Sequence, residues 1–242
     1  MSRAFTSSLE RLLNEFNSST KGLLKKVCPE VDFSGISIYE AKENDEYHLM
    51  ASFVGMRQMP KSAKKTENIF VVGKLLGGMA EKKPVLLKYN TEISFCRMKD
   101  MNNPTKNLTP MCGFHFDFHD NEKQFNHPIF HAQPKLKAGE RFFSWKKEFA
   151  LPEYPEQYNE IRTLRIPTAQ MDIFSAVLMV IADHAIDPSD PDQHFQNFLK
   201  LVNRSLIPMD LKSAPPTFAE KMMAGNPFHA LDWYPITATV QS

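Results

Sequence analysis

The chain has 242 residues and a mass of 27.8 kDa, and its 29 basic and 28 acidic residues give a formal net charge of +1. Hydrophobic residues make up 42% of it and charged residues 24%, which is usual for a soluble globular protein with a packed core. A dedicated nucleic-acid-binding protein usually has a basic excess, so the balanced charge counts mildly against that class, although a local basic patch stays open.

The cysteines and the apolar runs predict a cytoplasmic protein. The three cysteines, Cys28, Cys96 and Cys112, are few, odd in number and far apart, which argues against a disulfide framework. The most apolar run, FSAVLMVIA from Phe174, has about half of the roughly 20 residues that span a bilayer, so we expect no membrane contact. The N-terminal segment interrupts its apolar residues with charged ones and is predicted as an amphipathic helix rather than a secretory signal.

The N-terminal part of the chain predicts helices followed by a hairpin. Apolar residues recur there at i, i+3, i+4 and i+7 and form one stripe of Leu9, Leu12, Leu13 and Phe16. A second short helix is predicted for residues 20–27, before Pro29. The segments 34–41 and 46–55 flank the polar sequence KEND and have the arrangement of a β-hairpin.

The middle of the chain mixes helix and strand signals. Residues 62–81 are predicted as a helix, although their three glycines weaken this interpretation. Residues 84–98 are predicted as a second hairpin that turns at Asn90-Thr91. Residues 99–110 have the composition of a loop.

The C-terminal third is predicted to be mainly helical. A strand at 160–167 precedes the strongest helix of the chain, which Thr168 would cap and which places Asp172 in its first turn. The apolar face of this helix comprises Ile173, Phe174, Val177, Val180 and Ile181. Further helices are predicted at 192–206 and 218–224.

The strands cluster in residues 34–166 and the helices lie at both ends of the chain. This segregation predicts an α+β fold with a mainly antiparallel sheet. We expect a single domain of residues 1–242, in which helices from 1–30 and 168–224 pack on the sheet. An aromatic tail follows at 225–242 and would pack on the domain or dock a partner.

Four of the eight histidines lie in residues 112–132, all at odd positions: His115, His119, His127 and His131. Because strands alternate faces with period 2, the phenylalanines of 114–118 would share one face, and His115, Asp117 and His119 the other. If the intervening segment turns the chain so that His119 faces His127, then His115 faces His131 and all four imidazoles share one face. The pattern predicts a histidine hairpin with a functional polar face.

A divalent metal ion is the first candidate ligand of such a face. Imidazole suits Zn, Mn, Fe and Ni, and a carboxylate from Asp117 or Asp120 could complete the site. The metal ligands would be His115, His119, His127, His131 and Asp117. No helical H-x-x-x-H motif or cysteine pair supports this geometry further.

Metal-free acid–base chemistry is the second candidate. A pair of histidines can act as general base and general acid near neutral pH, as in phosphodiester cleavage through a ribose 2′-hydroxyl. Such a site needs a cation for the phosphate, which Arg162 or Arg165 would supply, although only one of them could reach the histidine face from a regular strand. The histidines could instead be ordinary polar residues on the solvent face of a strand.

The order of FHFDFHD, HPIFH, LRIP and an apolar helix with MDIFSAVL, across residues 112–185, resembles an uncharacterised bacterial family, a domain of unknown function. That family has an F-D-Y strand, an H-P-x-x-H element and an R-I-P triplet. The resemblance places Asp117 on the strand acid, His127 and His131 on the H-P-x-x-H element, and Arg165 on the triplet. It implies no activity, and proteins similar to this family accompany toxin–antitoxin or phage-defence genes.

Two hypotheses about function follow. The first is an intracellular hydrolase or nuclease of toxin or phage-defence type, acting on RNA or DNA. Its catalytic residues would be His115, His119, His127, His131, Asp117 and Arg165. The second is a non-catalytic accessory or antitoxin-like module that binds a protein partner, with histidines in a structural or pH-sensing role. A cleft that contains Arg165 and the histidines would favour the enzyme, whereas a histidine face covered by the 168–185 helix would favour the module.

Overall fold

Long runs of β-branched and aromatic residues, mainly in the first half of the chain, form one antiparallel sheet, and the three helices of the described residues pack over one of its faces. The structure is a computed structural model. It describes residues 3–57, 66–98, 108–118, 130–135, 137–138, 164, 166–168, 170–186, 193–205 and 207–208. The predicted α+β fold with a mainly antiparallel sheet is confirmed.

The N-terminal helix, α1, is continuous over Arg3–Val27. Its predicted apolar stripe is confirmed, since Leu9, Leu13 and Phe16 are buried and Leu12 is partly buried. The prediction of a separate helix at 20–27 is wrong. The stripe continues through the buried residues Leu23 and Leu24, so the same face stays on the core and the polar segment before them does not interrupt the helix.

Within the described residues the sheet has eight strands, and every pairing between them is antiparallel. The strands are β1 Asp32–Phe33, β2 Ser37–Lys42, β3 Glu46–Arg57, β4 Thr66–Ala80, β5 Lys83–Met98, β6 Leu108–Phe118, β7 Phe130–Pro134 and β8 Ile166–Pro167. Strands β1 and β2 both pair with β3, and β3 to β8 follow in chain order across the sheet. The β2–β3 hairpin confirms the hairpin predicted around KEND.

The helix predicted at 62–81 is wrong, because residues 66–80 form the central strand β4. Its residues Ile69 to Val72 are buried on both faces of the sheet, which suits β-branched and aromatic side chains. The glycines that weakened the helix prediction have a different role here. A Cβ atom at Gly73 would lie 2.7 Å from the Ile173 Cβ, so this glycine lets a helix approach the strand closely.

The hairpin predicted within 84–98 is also wrong, because β5 runs straight through Asn90 and Thr91. The chain turns earlier, at Glu81 and Lys82, whose φ angles of 51° and 65° suit a tight two-residue hairpin turn. Of the predicted loop at 99–110, residues 108–110 belong to β6 and the remainder lie outside the described residues.

We expect Gly77→Ala to lower the free energy of unfolding by about 1–3 kcal/mol, the usual cost of overpacking a core. The new Cβ would lie 1.9 Å from the Phe5 Cζ. Phe5 belongs to α1, and its side chain is fully buried where the helix meets the sheet. Chemical denaturation measures the change. Gly78→Ala is the matched control, since its Cβ would meet only the end of the Leu87 side chain at 3.3 Å. Equal losses in both variants would contradict the close helix approach.

The two C-terminal helices that the structure describes are α2, Ile173–His184, and α3, Gln193–Ser205. Helix α3 agrees with the predicted range 192–206, whereas α2 begins five residues after the predicted start at Thr168. The predicted apolar face of α2 is confirmed as core, with all five residues buried. The predicted cap is wrong: Asp172 caps α2, because its carboxylate accepts hydrogen bonds from the backbone N–H groups of Phe174 and Ser175. The Thr168 N–H instead donates to the carbonyl oxygen of Phe130 and extends the β7–β8 pairing.

Several predicted elements fall outside the described residues. They are most of the strand at 160–167, the helix at 218–224 and the aromatic tail at 225–242. Of that strand, the described part includes β8. None of the helices that the structure describes is long and apolar enough to cross a membrane. The single domain of residues 1–242 stays a prediction.

Candidate functional site

Strand β6 presents phenylalanines to one face of the sheet and polar residues to the other. Phe116 and Phe118 are buried and join the main core with the helices, whereas His115 and Asp117 point to the opposite face. The predicted alternation is therefore confirmed. Helix α2 packs on the phenylalanine face, where Ile173 contacts Gly73, so it does not cover the histidine face.

The predicted register of the histidine hairpin is wrong by two residues. His131 lies opposite Asp117, and His115 lies opposite Gln133 instead of His131. The polar face explains the difference, because this register sets the His131 imidazole against the Asp117 carboxylate, 3.0 Å away, instead of against a second imidazole. A shift of two residues keeps every side chain on its predicted face, so the histidines of β6 and β7 still share one surface.

The carboxylate of Asp117 lies between two imidazoles. The Nε2 of His115 is 3.0 Å from its Oδ2, and the Nε2 of His131 is 3.0 Å from its Oδ1. Each imidazole therefore has its own carboxylate oxygen. His131 is only 2% exposed, whereas the side chains of His115 and Asp117 keep about a fifth of their surface in solvent, 17% and 24%. We call these three residues the Asp117 cluster.

Strand β5 completes the surroundings of the Asp117 cluster. The carboxylate of Glu92 lies 3.7 Å from the Nδ1 of His115 and also binds the Lys135 ammonium group at 2.5 Å. The amide of Asn90 lies 3.4 Å from the Nε2 of His115. Both residues were missed in the sequence, because the false hairpin turn at Asn90 concealed the even-numbered polar face of β5.

The charges of the Asp117 cluster stabilise one another. Burial alone would lower the pKa of His115, but the carboxylates of Asp117 and Glu92 outweigh it and raise the pKa to about 9. Burial alone would raise the pKa of Asp117, but hydrogen bonds with His115 and His131 hold it well below its usual range. At neutral pH the cluster therefore contains an ionised carboxylate beside an imidazolium.

The Asp117 cluster belongs to a row of polar residues that crosses the sheet. Directly opposed positions on successive strands, all on one face, are Glu40, His48, Lys74, Asn90, Asp117 and His131. Because neighbouring strands lie about 4.8 Å apart, the row extends over roughly 24 Å. The sheet therefore connects the predicted histidine hairpin with polar residues far from it in the sequence.

A second cluster lies at the other end of the row, around His48. The imidazole contacts the Tyr39 hydroxyl at 2.7 Å and the Glu46 carboxylate at 2.8 Å, and Glu46 also binds Lys74 at 2.9 Å. The hydrogen bond with His48 is the main reason that the pKa of Glu46 is lowered to about 2. The sequence reading overlooked His48, although its i, i+2 spacing from Glu46 is the same period-2 signal as that of His115 and Asp117.

Three of the predicted catalytic residues, His119, His127 and Arg165, lie outside the described residues, as do Asp120 and Arg162. The structure brings His115, Asp117 and His131 together as predicted. Within the part of the chain it describes, no group of three or more His, Cys, Asp or Glu side chains is placed to hold a metal ion. The predicted divalent metal site stays a prediction.

The pH dependence of stability should report the protonation of His115. Its pKa of about 9 lies above the usual 6.5, so its contribution is fully present below pH 6.5 and is lost as the pH rises through 9. That contribution is up to about 3 kcal/mol. Asp117 affects stability in the acid range instead. Because its pKa is lowered in the folded state, its contribution to stability is present above about pH 4 and is lost as the pH falls further.

Urea unfolding between pH 5.5 and 9.5 tests this prediction. The unmodified chain should lose stability between pH 6.5 and 9, and His115→Gln should lack most of that decline. If the unmodified chain is equally stable at pH 6.5 and 9, His115 is not held in its protonated form by the two carboxylates.

Comparison with known proteins identifies no relative of this chain. The resemblance of residues 112–185 to an uncharacterised bacterial family therefore stays a prediction, and so do the roles it implies for His127 and Arg165. The chain matches no protein-family model, no curated protein and no solved structure.

Proposed function

We propose that this chain is a hydrolase of nuclease type that cleaves phosphodiester bonds in RNA or DNA, with the Asp117 cluster as its acid–base centre. The observation that supports this proposal is the Asp117 carboxylate held 3.0 Å from an imidazole on either side. A carboxylate in this position orients an imidazole and stabilises its protonated form, which acid–base catalysis requires.

His115 is the general acid in this proposal. With a pKa of about 9 it is protonated at neutral pH, and because its Nε2 is bonded to Asp117, the buried Nδ1 beside Glu92 is the nitrogen left to donate a proton to a leaving oxygen. Asp117 orients the His115 ring. His131 is too deeply buried to contact a substrate and acts as a positioning residue, because its imidazole holds the second oxygen of Asp117.

A complete site also needs a general base and a cation for the phosphate. In this proposal the base is His119 or His127, and the cation is Arg165. A divalent metal ion bound by the same histidines would be an alternative way to activate water. A toxin or phage-defence role would suit a nuclease of this kind.

A cleavage assay with a chelator arm tests the proposal. The full chain is incubated with single-stranded RNA, the same sequence as DNA, and duplex DNA, each with and without EDTA, alongside metal analysis of the purified protein. Cleavage of RNA alone that survives EDTA indicates attack by the ribose 2′-hydroxyl, whereas cleavage that EDTA abolishes indicates a metal-dependent nuclease. If no substrate is cleaved under any condition, the nuclease proposal is wrong.

A non-catalytic module that binds a protein partner is the second candidate, and the paired charges on this face of the sheet favour it. The carboxylates of Glu40, Glu46, Glu92 and Asp117 on this face are matched by Lys42, Lys74, Lys135 and protonated His115. A surface for a polyanion usually carries excess positive charge. In this alternative the Asp117 cluster ties β6 to β7, and replacing its residues changes stability alone.

A further inference from the structure

A basic groove lies between helices α1 and α3, away from the histidine face. The two helices run antiparallel: Lys26 at the end of α1 lines the same cavity as Asn197 near the start of α3, and Leu12 lines the neighbouring cavity with Ser205. Helix α1 packs on the phenylalanine face of the sheet, and α3 packs against α1 and α2 in the same core. The cavity between Lys26 and Arg204 has a volume of about 310 Å³, which is the size of a small-ligand site.

Three cations line this cavity, Lys26, Lys200 and Arg204, and none of its described lining residues is acidic. Lys26 and Arg204 lie in the last turns of their helices, where a cation also stabilises the helix dipole. Lys200 lies one turn before Arg204, so the two cations occupy the same side of α3 and line the same cavity. Arg204 also lines the neighbouring cavity, which contains Glu15.

A glycine keeps the floor of the groove open. Gly22 lies well inside the 25-residue helix α1, where glycine costs about 0.5–1 kcal/mol relative to alanine. Packing does not require it, because a Cβ atom at this position would have no other atom within 4 Å. The missing side chain instead leaves space in the cavity beside Lys26 and Lys200.

We propose that this groove binds a soluble small molecule that carries a diphosphate group. Two linked phosphates carry roughly three negative charges at neutral pH, which the three cations balance. Lysine and arginine form strong charge-assisted hydrogen bonds to phosphate oxygens, and the Ser19 hydroxyl and the Asn197 amide supply neutral donors in the same cavity. The site is separate from the Asp117 cluster, which lies on the other face of the sheet.

Calorimetric titration of the full chain with inorganic pyrophosphate and with ADP, at constant ionic strength, tests the proposal. We expect saturable binding that weakens about tenfold or more in Lys200→Gln and in Arg204→Gln, because each removes a charged hydrogen-bond donor. Lys25→Gln is the matched control: Lys25 is exposed in the same last turn as Lys26 but does not line the cavity, so its affinity should stay within about twofold.

Gly22→Met gives a second, steric test that does not remove charge. The side chain would enter open space, so the thermal midpoint should stay the same or rise, while binding of both probes should be abolished. Unchanged binding in Gly22→Met, equal weakening in Lys25→Gln and Lys200→Gln, or no binding of either probe would each overturn the proposal. Binding to phosphatidic acid vesicles without binding to pyrophosphate or ADP would overturn it as well, because the ligand would then be a lipid headgroup.

Discussion

Replacing Phe174 by alanine is expected to lower the free energy of unfolding by about 3–5 kcal/mol, the usual cost of deleting a buried aromatic side chain. Phe174 is fully buried in the first turn of α2, and its ring meets that of Phe16 edge to face, with centroids 5.3 Å apart. It therefore joins α2 to α1 above the sheet. The loss combines the burial of the ring, the aromatic contact and the cavity left behind.

Urea denaturation followed by circular dichroism measures the effect, with Leu199→Ala as the control. Leu199 lies on the outer side of α3 and is 38% exposed, so its replacement should change stability by no more than about 0.5 kcal/mol. A Phe174→Ala midpoint equal to that of the unmodified chain would show that α2 does not pack against α1. The m-value should stay constant in both variants if the fold is otherwise unchanged.

If the proposed function is correct, Asp117→Asn should lower the rate of phosphodiester cleavage by about 10²–10⁴-fold, the usual contribution of an acid–base group. The amide keeps the size of the carboxylate but carries no charge, so it can neither hold His115 protonated nor replace the carboxylate's ionic contacts with both imidazoles. His131→Ala would be a poorer test, because this buried residue also contributes packing. The readout is the rate per folded molecule, together with its pH profile.

Glu46→Gln is the matched control for this experiment. Glu46 is also a carboxylate bonded to a histidine on the same sheet face, but it lies in β3, at the His48 end of the row. Its replacement should reduce stability without a comparable loss of cleavage rate. If both variants lose activity only in proportion to their unfolded fraction, the imidazoles are structural and the partner-binding alternative is favoured.

The sequence alone was sufficient to predict an element where its local pattern of apolar residues agrees with its burial in the fold. The stripe of α1 repeats with the helical period and faces the core, and the apolar face of α2 was predicted residue by residue. The alternation around Asp117 was equally readable, because a strand must place phenylalanines on one side if it places polar residues on the other. These features depend only on the period of the backbone, so no distant contact was needed to predict them.

Only the tertiary structure decided that the residues of β4 and β5 form strands, rather than the helix and the hairpin that their sequences predict. Their sequences contain helix-forming residues, glycines and a turn-like Asn90-Thr91 pair, yet burial between β3 and β6 makes both of them long central strands. Strand pairing likewise decided the register of His131, because a shift of two residues leaves the same side chains on each face and only the pairing places His131 opposite Asp117.

For the same reason, no local sequence pattern could predict the polar row across the sheet. His48, Lys74 and Asp117 come from three strands that are separated by 26 and 43 residues in the chain, and only pairing through β4 and β5 aligns them. Sequence periodicity determined which face each polar residue occupies. Strand pairing determined its neighbours, because hydrogen bonding between whole strands sets the register that brings distant residues opposite one another.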